Sequence, residues 1–473
     1  MTLLSHIEIQ ALINSTIITI GSSLIAIFIA LVCNLILIHN KKFNLIISLI
    51  MLIALLIPPF FHAVGWANLI NYLANKVFEN YGILMLLRSM PGVIFVLGIS
   101  YSPLAFFIIN RQLNQIPISQ IDAVKLLPHT NSKLIQLIVK DIKSILLITF
   151  ILIGLLTFNS FDVSAFYEVN SFPTVIFSQF SAHFDYLRAF ILSLIPVIIT
   201  VFGCIVLFKS YTKQPLFNLS ISKSELPQII LPKVIKIILY LLSFIFLIFL
   251  ILPSFSIFIG SNIFSTNGIQ EIIGNFSVIR NSINITFLSV LLIFIPLGLS
   301  YFYIQYPLIR YLSLASFIIP SVTFGVIVSY FSNLIHLNSS SLIPLLGAYI
   351  LRIFPIIAEI MYQRNLSFNP SQLQAAQLMT SRKKQILTQI YFPFFRSEIL
   401  FSIIILVWLV ITELPITLLL QPAGMQTMIN RVFILLHYGS ETTMNVLLLL
   451  MIILGFGFIF ISKKLLKDHH ENH

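Results

Sequence analysis

Ionisable side chains within long apolar runs are the residues of this sequence whose types and spacing could do chemistry. Arg352, Glu359 and Glu413 interrupt such runs, and Asp162 follows the end of another. Ionisable groups in a membrane are costly, so they usually pair or line a pathway. Because carboxylate oxygens suit hard cations, these residues, with Pro415, are candidates for a pathway or its outer gate. The alternative is structural: Glu413 pairs with a basic group or a backbone donor, and Arg352 and Glu359 serve only packing.

No other grouping of residues predicts catalysis. No Ser-His-Asp, Cys-His or paired-carboxylate arrangement stands out, and no glycine is followed by lysine, so the sequence contains no phosphate-binding loop of the GxxxxGK[ST] type. Cys33 and Cys204 both fall in apolar runs, which argues against a disulfide or a metal site. We therefore expect no enzyme activity, no cofactor and no firm metal site, and any ATP is bound by another polypeptide.

The elements that carry these residues are predicted to be membrane-spanning helices. Of 473 residues, 58% are hydrophobic and 9% are charged, which excludes a water-soluble globular surface. The apolar runs are continuous and about 20 residues long, as transmembrane helices require, whereas barrel strands would alternate in polarity. We predict an all-α polytopic membrane protein with about eleven spans, at 11–37, 44–70, 83–109, 144–160, 188–208, 232–260, 279–304, 308–331, 341–361, 397–420 and 445–462.

The distribution of lysine and arginine predicts the orientation of the chain. With the N-terminus outside, most of the 27 Lys and Arg residues fall in inner segments, and cytoplasmic loops carry such an excess. An odd number of spans then puts the C-terminus in the cytoplasm. Because this bias explains the net charge of +12, we expect membrane lipid, and no nucleic acid, as a partner.

Three pairs of similar segments recur in the same order along the chain. They are "NSTIIT" from Asn14 and "NSINIT" from Asn281, "IPPFFHAVGWANL" from Ile57 and "IPSVTFGVIVSYFSNL" from Ile319, and "QIDAVKLLPHTNSKLIQLI" from Gln120 and "QLQAAQLMTSRKKQILTQI" from Gln372. Their order and common orientation predict two parallel repeats. We expect a first repeat at 1–208 with five spans, a cytoplasmic linker at 209–231 and a second repeat at 232–473 with six spans.

The third pair of segments is polar and is predicted to face the cytoplasm. Residues 371–385 favour a helix, and Ile386, Ile390 and Phe394 lie on one face of a second short helix. Such a helical hairpin could lie on the membrane surface or bind a cytoplasmic partner.

This pattern resembles the EAA loop of ABC-importer permeases, E-A-A-x-x-x-G followed by I-x-L-P. The second copy departs from it at three positions, with Gln374 in place of the acid, Thr380 in place of glycine and Phe392 in place of leucine. In the first copy Pro128 stands at the glycine position. The resemblance implies a permease fold of the MetI-like type, in which each loop docks into an ATPase subunit. The residues that it implies for coupling are Asp122, Ala123, Val124, Pro128, Gln374, Ala375, Ala376, Thr380, Ile390 and Pro393.

A second resemblance concerns the transported substrate. The segment "TELPITLLLQPAGMQTMINRVF" from Thr412 is similar to E-L-P-x-T-L-L-L-x-P-x-G-x-x-T in ferric iron permeases, which fuse two permease halves in one chain. "FDVSAFYEVNSFPTVIFSQF" from Phe161 resembles the matching loop of the first half. The resemblance implies iron import across the bacterial inner (cytoplasmic) membrane, with a periplasmic N-terminus, a periplasmic binding protein and two cytoplasmic ABC ATPase subunits as partners.

Three alternatives remain open at this stage. The same machine could carry thiamine, a polyamine or another small solute. An ion-coupled secondary transporter would need a buried cluster of carboxylates or histidines, and the sparse charges within the spans argue against it. A channel or a purely structural membrane protein would not explain two polar loops at equivalent positions.

Overall fold

The computed structural model is helical in the part of the chain that it describes, and no strand occurs there. It describes residues 4–39, 43–74, 82–116, 118–126, 130–210, 232–306, 313, 315–337, 341–366, 385 and 387–470. The main helices, numbered along the chain, are α1 His6–His39, α2 Asn44–Leu55, α3 Pro59–Leu73, α4 Gly82–Leu87, α5 Met90–Asn114, α6 Ile118–Lys125, α7 Thr130–Phe158, α8 Asp162–Phe166, α9 Phe172–Ser181, α10 Tyr186–Ser210, α11 Lys233–Ser261, α12 Thr266–Gly274, α13 Phe276–Leu291, α14 Phe294–Gln305, α15 Ser321–Leu334, α16 Ile343–Asn365, α17 Phe392–Thr412, α18 Pro415–Leu420, α19 Met428–Tyr438 and α20 Glu441–His470. A π-helical turn, Leu387–Tyr391, precedes α17.

The described helices include eight that are long and apolar enough to cross a membrane. They are His6–Ile38, Met90–Asn114, Lys133–Phe158, Tyr186–Leu207, Lys233–Ser261, Phe276–Ser300, Ile343–Asn365 and Phe392–Thr412. The pair α2 and α3 makes a ninth if it counts as one span, while α15 and Glu441–Gly457 are shorter apolar helices. The prediction of an all-α polytopic membrane protein is confirmed, and the count of eleven stays a prediction.

The predicted span 44–70 is not one straight helix, because α2 and α3 meet at an angle of 98°. Pro58 lies at the break with φ −59° and ψ 149°. A proline lacks the N–H that would continue the helix and disfavours helical geometry at the preceding residue. Pro320 precedes α15 with nearly the same angles, φ −51° and ψ 135°. By contrast, Pro196 and Pro355 lie within α10 and α16.

The predicted span 397–420 also ends earlier than expected. α17 stops at Thr412, and Glu413 is extended, with φ −78° and ψ 106°. The chain then forms α18 as a separate short helix. Pro415 is the first residue of α18, a position where its missing N–H costs no helical hydrogen bond.

The described residues form two compact units, the first ending at Ser265 and the second beginning at Thr266. α11 belongs to the first unit, where it packs on α1, α2, α3 and α5. Gly65 on α3 makes the closest approach, because a Cβ there would lie 2.3 Å from the carbonyl oxygen of Pro253 on α11. Ser256 donates a hydrogen bond of 2.6 Å to the carbonyl oxygen of Gly65. The sequence assigned 232–260 to the second repeat, so the packing unit and the predicted repeat boundary differ, and that boundary stays a prediction.

The buried core of the second unit is built on one face of α16. Leu345, Tyr349, Ile353 and Ile357 repeat every four residues and are each at most 4% exposed. They belong to a cluster with buried side chains of α13, α17 and α18. This packing fixes the rotation of α16 and therefore the directions of its polar side chains.

Candidate functional site

The site comprises two segments with equivalent positions in the two units, which we call connectors. The first connector, residues 159–185, joins α7 to α10 and contains α8 and α9. The second connector, residues 413–440, joins α17 to α20 and contains α18 and α19. The sequence placed its candidate gate residues Asp162, Glu413 and Pro415 in these segments.

Arg352 and Glu413 form an ion pair in the second unit. The Nε atom of Arg352 lies 3.7 Å from Oε2 of Glu413, and the two side chains are 13% and 17% exposed. Arg352 also donates a hydrogen bond of 2.8 Å to the carbonyl oxygen of Ile319, and its guanidinium lies 5.8 Å from the ring centre of Phe317. The pairing favours the structural alternative for Glu413, while its Oε1 atom is buried and has no hydrogen-bond partner among the described residues.

A hydroxyl chain attaches α18 to α16 beside this ion pair. Thr417 donates to the carbonyl oxygen of Glu413, and Tyr349 lies 2.6 Å from the same Thr417 hydroxyl. Because the single Thr417 proton is already donated, Tyr349 must be the donor to Thr417. The second connector is therefore held to α16 by an ion pair and by a buried hydrogen-bond chain.

Each connector is also attached to the first long helix of its unit by the same pair of hydrogen bonds, which we call a latch. In the first latch, the Asn14 side chain donates to the Asn170 carbonyl oxygen at 2.9 Å, and the Phe172 N–H donates to the Ser15 hydroxyl at 2.7 Å. In the second latch, Asn281 donates to the Gln426 carbonyl oxygen at 3.2 Å, and the Met428 N–H donates to the Ser282 hydroxyl at 2.7 Å. These Asn-Ser pairs open the "NSTIIT" and "NSINIT" segments.

The latches supply hydrogen-bond partners at the N-termini of α9 and α19, the second short helix of each connector. Phe172 and Met428 are the first residues of α9 and α19, following Ser171 and Thr427 as caps. N–H groups in the first turn of a helix have no partner within the helix. In each unit a serine from a distant helix accepts one of them, so the sequence repeat corresponds to a repeated structural contact.

The other predicted gate residues lie apart from the ion pair. Glu359 is two turns along α16, only 5% exposed, and accepts a hydrogen bond of 2.6 Å from Gln363. Asp162 is the first residue of α8, in the first unit, and is half-buried. The structure thus brings Arg352 together with Glu413 and does not bring Glu359 to them.

Tyr167 holds the first connector on α3. Its hydroxyl donates a hydrogen bond of 2.9 Å to the Ala63 carbonyl oxygen. Burial raises the pKa of the Tyr167 phenol, so the hydroxyl keeps its proton and remains a donor at physiological pH. This contact could not be predicted from the sequence, because the two residues are 104 positions apart.

The first predicted coupling segment forms α6, which packs on α7. Ile121 is 3% exposed and faces the protein. Asp122 and Ala123 are exposed, and Val124 is half-buried. An exposed face next to a buried anchor is compatible with binding of a partner; Pro128 lies outside the described residues.

Most of the second predicted coupling segment lies outside the described residues, including Gln374, Ala375, Ala376 and Thr380. Ile390 lies in the π-helical turn, and Pro393 is an exposed residue in the first turn of α17. Of the predicted second short helix, Ile386 lies outside the described residues, Ile390 lies in the π-helical turn and Phe394 belongs to α17.

No group of three or more metal-ligating His, Cys, Asp or Glu side chains occurs in the part of the chain that the structure describes. Comparisons of this chain with models of protein families, with curated proteins and with solved structures found no match.

Proposed function

We propose that this chain is the permease subunit of an ATP-driven, binding-protein-dependent importer. The observation that carries the proposal is the pair of latches, since the same four-residue contact in two units supports a tandem duplication of one membrane module. Two modules in one chain would supply both halves of a pore. The resemblance of both polar segments to coupling loops then assigns ATP hydrolysis to two separate cytoplasmic subunits.

Ferric iron is the cargo that we favour. The "ELPITLLLQPAG" segment, which resembles ferric iron permeases, forms the start of the second connector. Glu413 offers an oxygen atom with no hydrogen-bond partner among the described residues, and hard cations prefer oxygen ligands. Thiamine, a polyamine or another small solute remains the alternative cargo for the same machine.

The coupling assignment is tested by co-purification with ABC ATPase subunits encoded in the same genome. The variants Ala123→Arg and Ala376→Arg place a bulky charge on each predicted docking segment and are expected to release the ATPase. Arg431→Ala, in the second connector, is the matched control and should leave ATPase binding unchanged. If no ATPase binds the wild-type chain, or if binding ignores both arginine substitutions, the importer assignment fails.

The cargo is tested by uptake of radioactive ferric iron into proteoliposomes that contain the permease, the ATPase and the binding protein. ATP-dependent iron uptake, blocked by an ATPase-dead subunit, is expected. Uptake of thiamine or a polyamine in place of iron would support the importer assignment but refute iron as the cargo.

An ion-coupled secondary transporter is the second candidate, and buried Glu359 within a candidate span favours it. Collapse of the proton gradient with an ionophore separates the two functions. Uptake by the importer should persist with ATP present, whereas uptake by a coupled transporter should stop.

A further inference from the structure

Helices α16 and α17 of the second unit are joined at two places by an arginine and a glutamate. Arg352 and Glu413 form the pair described above. The second pair joins Arg364 and Glu398, with 3.3 Å between Nε and Oε1 and side-chain exposures of 37% and 20%. In both pairs the arginine belongs to α16, and the glutamate lies in α17 or directly after it.

Arg364 holds α17 by more than its charge. Its Nε also donates to the Phe394 carbonyl oxygen at 3.1 Å, and its guanidinium lies 4.1 Å from the ring centre of Phe394. Phe394 and Glu398 are one turn apart on α17, so one side chain contacts two successive turns. A guanidinium stacked on an aromatic ring is geometrically more specific than a point charge.

The spacing of the two pairs is compatible with two antiparallel rods. Arg352 and Arg364 are separated by about 18 Å along α16, and Glu398 and Glu413 by about 22 Å along α17, at about 1.5 Å per residue. With one ion pair alone, each helix could still rotate about that contact. Two attachments about 20 Å apart oppose both rotation and sliding of one helix on the other.

The irregular backbone lies outside the clamped part of α17. The π-helical turn Leu387–Tyr391 precedes the helix, and the extended residue Glu413 follows it. Mid-chain π-turns often mark functional sites or hinges. Movement is therefore expected at the π-helical turn and not between α16 and α17.

Two of the four clamp positions have uncharged counterparts in the first unit. Counted back by the repeat offset of 252 residues, Glu398 falls on Leu146 and Arg352 falls on Ser100. Ser100 donates to the Val96 carbonyl oxygen of its own helix.

We propose that Arg364 and Glu398 are positioning residues that, with Arg352 and Glu413, make α16 and α17 one rigid lever. The lever transmits a displacement from the N-terminal end of α17 to the second connector. The predicted second coupling loop ends at that N-terminal end. The role as a lever rests on the proposed function, whereas the rigidity of the helix pair does not.

The rigidity is tested on the chain alone, in lipid nanodiscs, by dipolar electron paramagnetic resonance. Spin labels are attached to cysteines at two exposed positions, Leu366 at the end of α16 and Phe392 at the start of α17, in a Cys33→Ala, Cys204→Ala background. The wild-type clamp should give one narrow distance distribution. Arg364→Glu should at least double its width, and the charge swap Arg364→Glu with Glu398→Arg should reverse at least half of that increase.

Arg396→Glu is the matched control, because Arg396 is exposed and lies near Glu398 on the same helix. The Arg396→Glu variant has the same change of charge but keeps the ion pair between Arg364 and Glu398. Its distribution of spin–spin distances should therefore stay narrow. A narrow distribution in Arg364→Glu, or equal broadening in Arg396→Glu, overturns the rigid pair. If Arg364→Glu fails to fold, the charge-swap variant decides. A charge-swap variant that folds but gives a broad distance distribution also overturns the rigid pair.

The lever is tested in the complex with the ATPase by the number of substrate molecules imported per ATP hydrolysed. Arg364→Glu should retain ATPase binding but lower this ratio several-fold, and the charge swap should restore it in part. An unchanged ratio overturns the lever even if the helix pair is rigid. If no ATPase binds the wild-type chain, the proposed function and the lever fail together, and the spin-label result still decides the rigidity.

Discussion

Replacing Arg352 with methionine should destabilise the second unit, because it removes three contacts and leaves Glu413 without its ion-pair partner. At 3.7 Å and an effective dielectric constant of about 20, the gross Coulomb energy is about 4–5 kcal/mol. Desolvation offsets most of it, and 3.7 Å is too long for a hydrogen bond, so the net coupling should be about 1–2 kcal/mol. The lost hydrogen bond to Ile319 adds about 1–2 kcal/mol.

The expected total of about 3 kcal/mol for Arg352→Met corresponds to a fall in the thermal midpoint of about 6–12 °C for a unit of this size. Trp66→Phe leaves Trp408, on α17, as the only tryptophan, so its fluorescence reports on the helix that ends at Glu413. Glu413→Gln, which keeps the size of the side chain, should lower stability by about 1–2 kcal/mol.

A double-mutant cycle of Arg352→Met and Glu413→Gln isolates the ion pair. The double variant should be more stable than the sum of the two single effects predicts, by about 1–2 kcal/mol. Glu271→Gln is the matched control, since it is the same chemical change in the same unit at a glutamate outside this ion pair. Strict additivity, or single effects no larger than that of Glu271→Gln, would refute the reasoning.

Three further predictions concern individual contacts. Ser282→Ala should speed hydrogen exchange of the Met428 amide by about fivefold or more, since a buried hydrogen bond contributes about 1 kcal/mol; unchanged exchange would contradict the latch. Gly65→Ala should lower the thermal midpoint, because overpacking costs about 1–3 kcal/mol, whereas Gly298→Ala, with no atom within 4 Å of the added Cβ, should not. Tyr349→Phe should cost about 1–2 kcal/mol in a denaturant titration; a neutral effect would show that its hydroxyl does not hold α18.

The sequence predicts the helices well because long apolar runs leave few alternatives in a membrane, where every backbone group must be satisfied within the chain. The sequence is a poor guide to the positions at which these helices are interrupted. Pro58 and Pro355 look equally disruptive in the sequence, yet only Pro58 separates two helices. The difference depends on tertiary packing, which can compensate the lost hydrogen bond of a proline inside a bundle.

The candidate site was predictable only in part, for the same reason. Glu413 and Arg352 stand out as charges in apolar runs, and the Asn-Ser pairs appear in the sequence repeat. Their partners do not stand out, because the Phe172 N–H and the Gln426 carbonyl are backbone groups that any residue would carry. In the same way, Arg188 pairs with Glu8, which is 180 positions away.

The latches also set an order for biogenesis. Each one closes a loop of considerable length, 157 residues from Ser15 to Phe172 and 146 from Ser282 to Met428. While the ribosome is still making the intervening helices, the hydroxyl of each serine lacks the backbone N–H group that will donate a hydrogen bond to it. The first module can complete its latch as soon as its own connector has been inserted, before the second connector has been synthesised. A mutation in a latch should therefore act early, on insertion and quality control, and lower the amount of protein in the membrane.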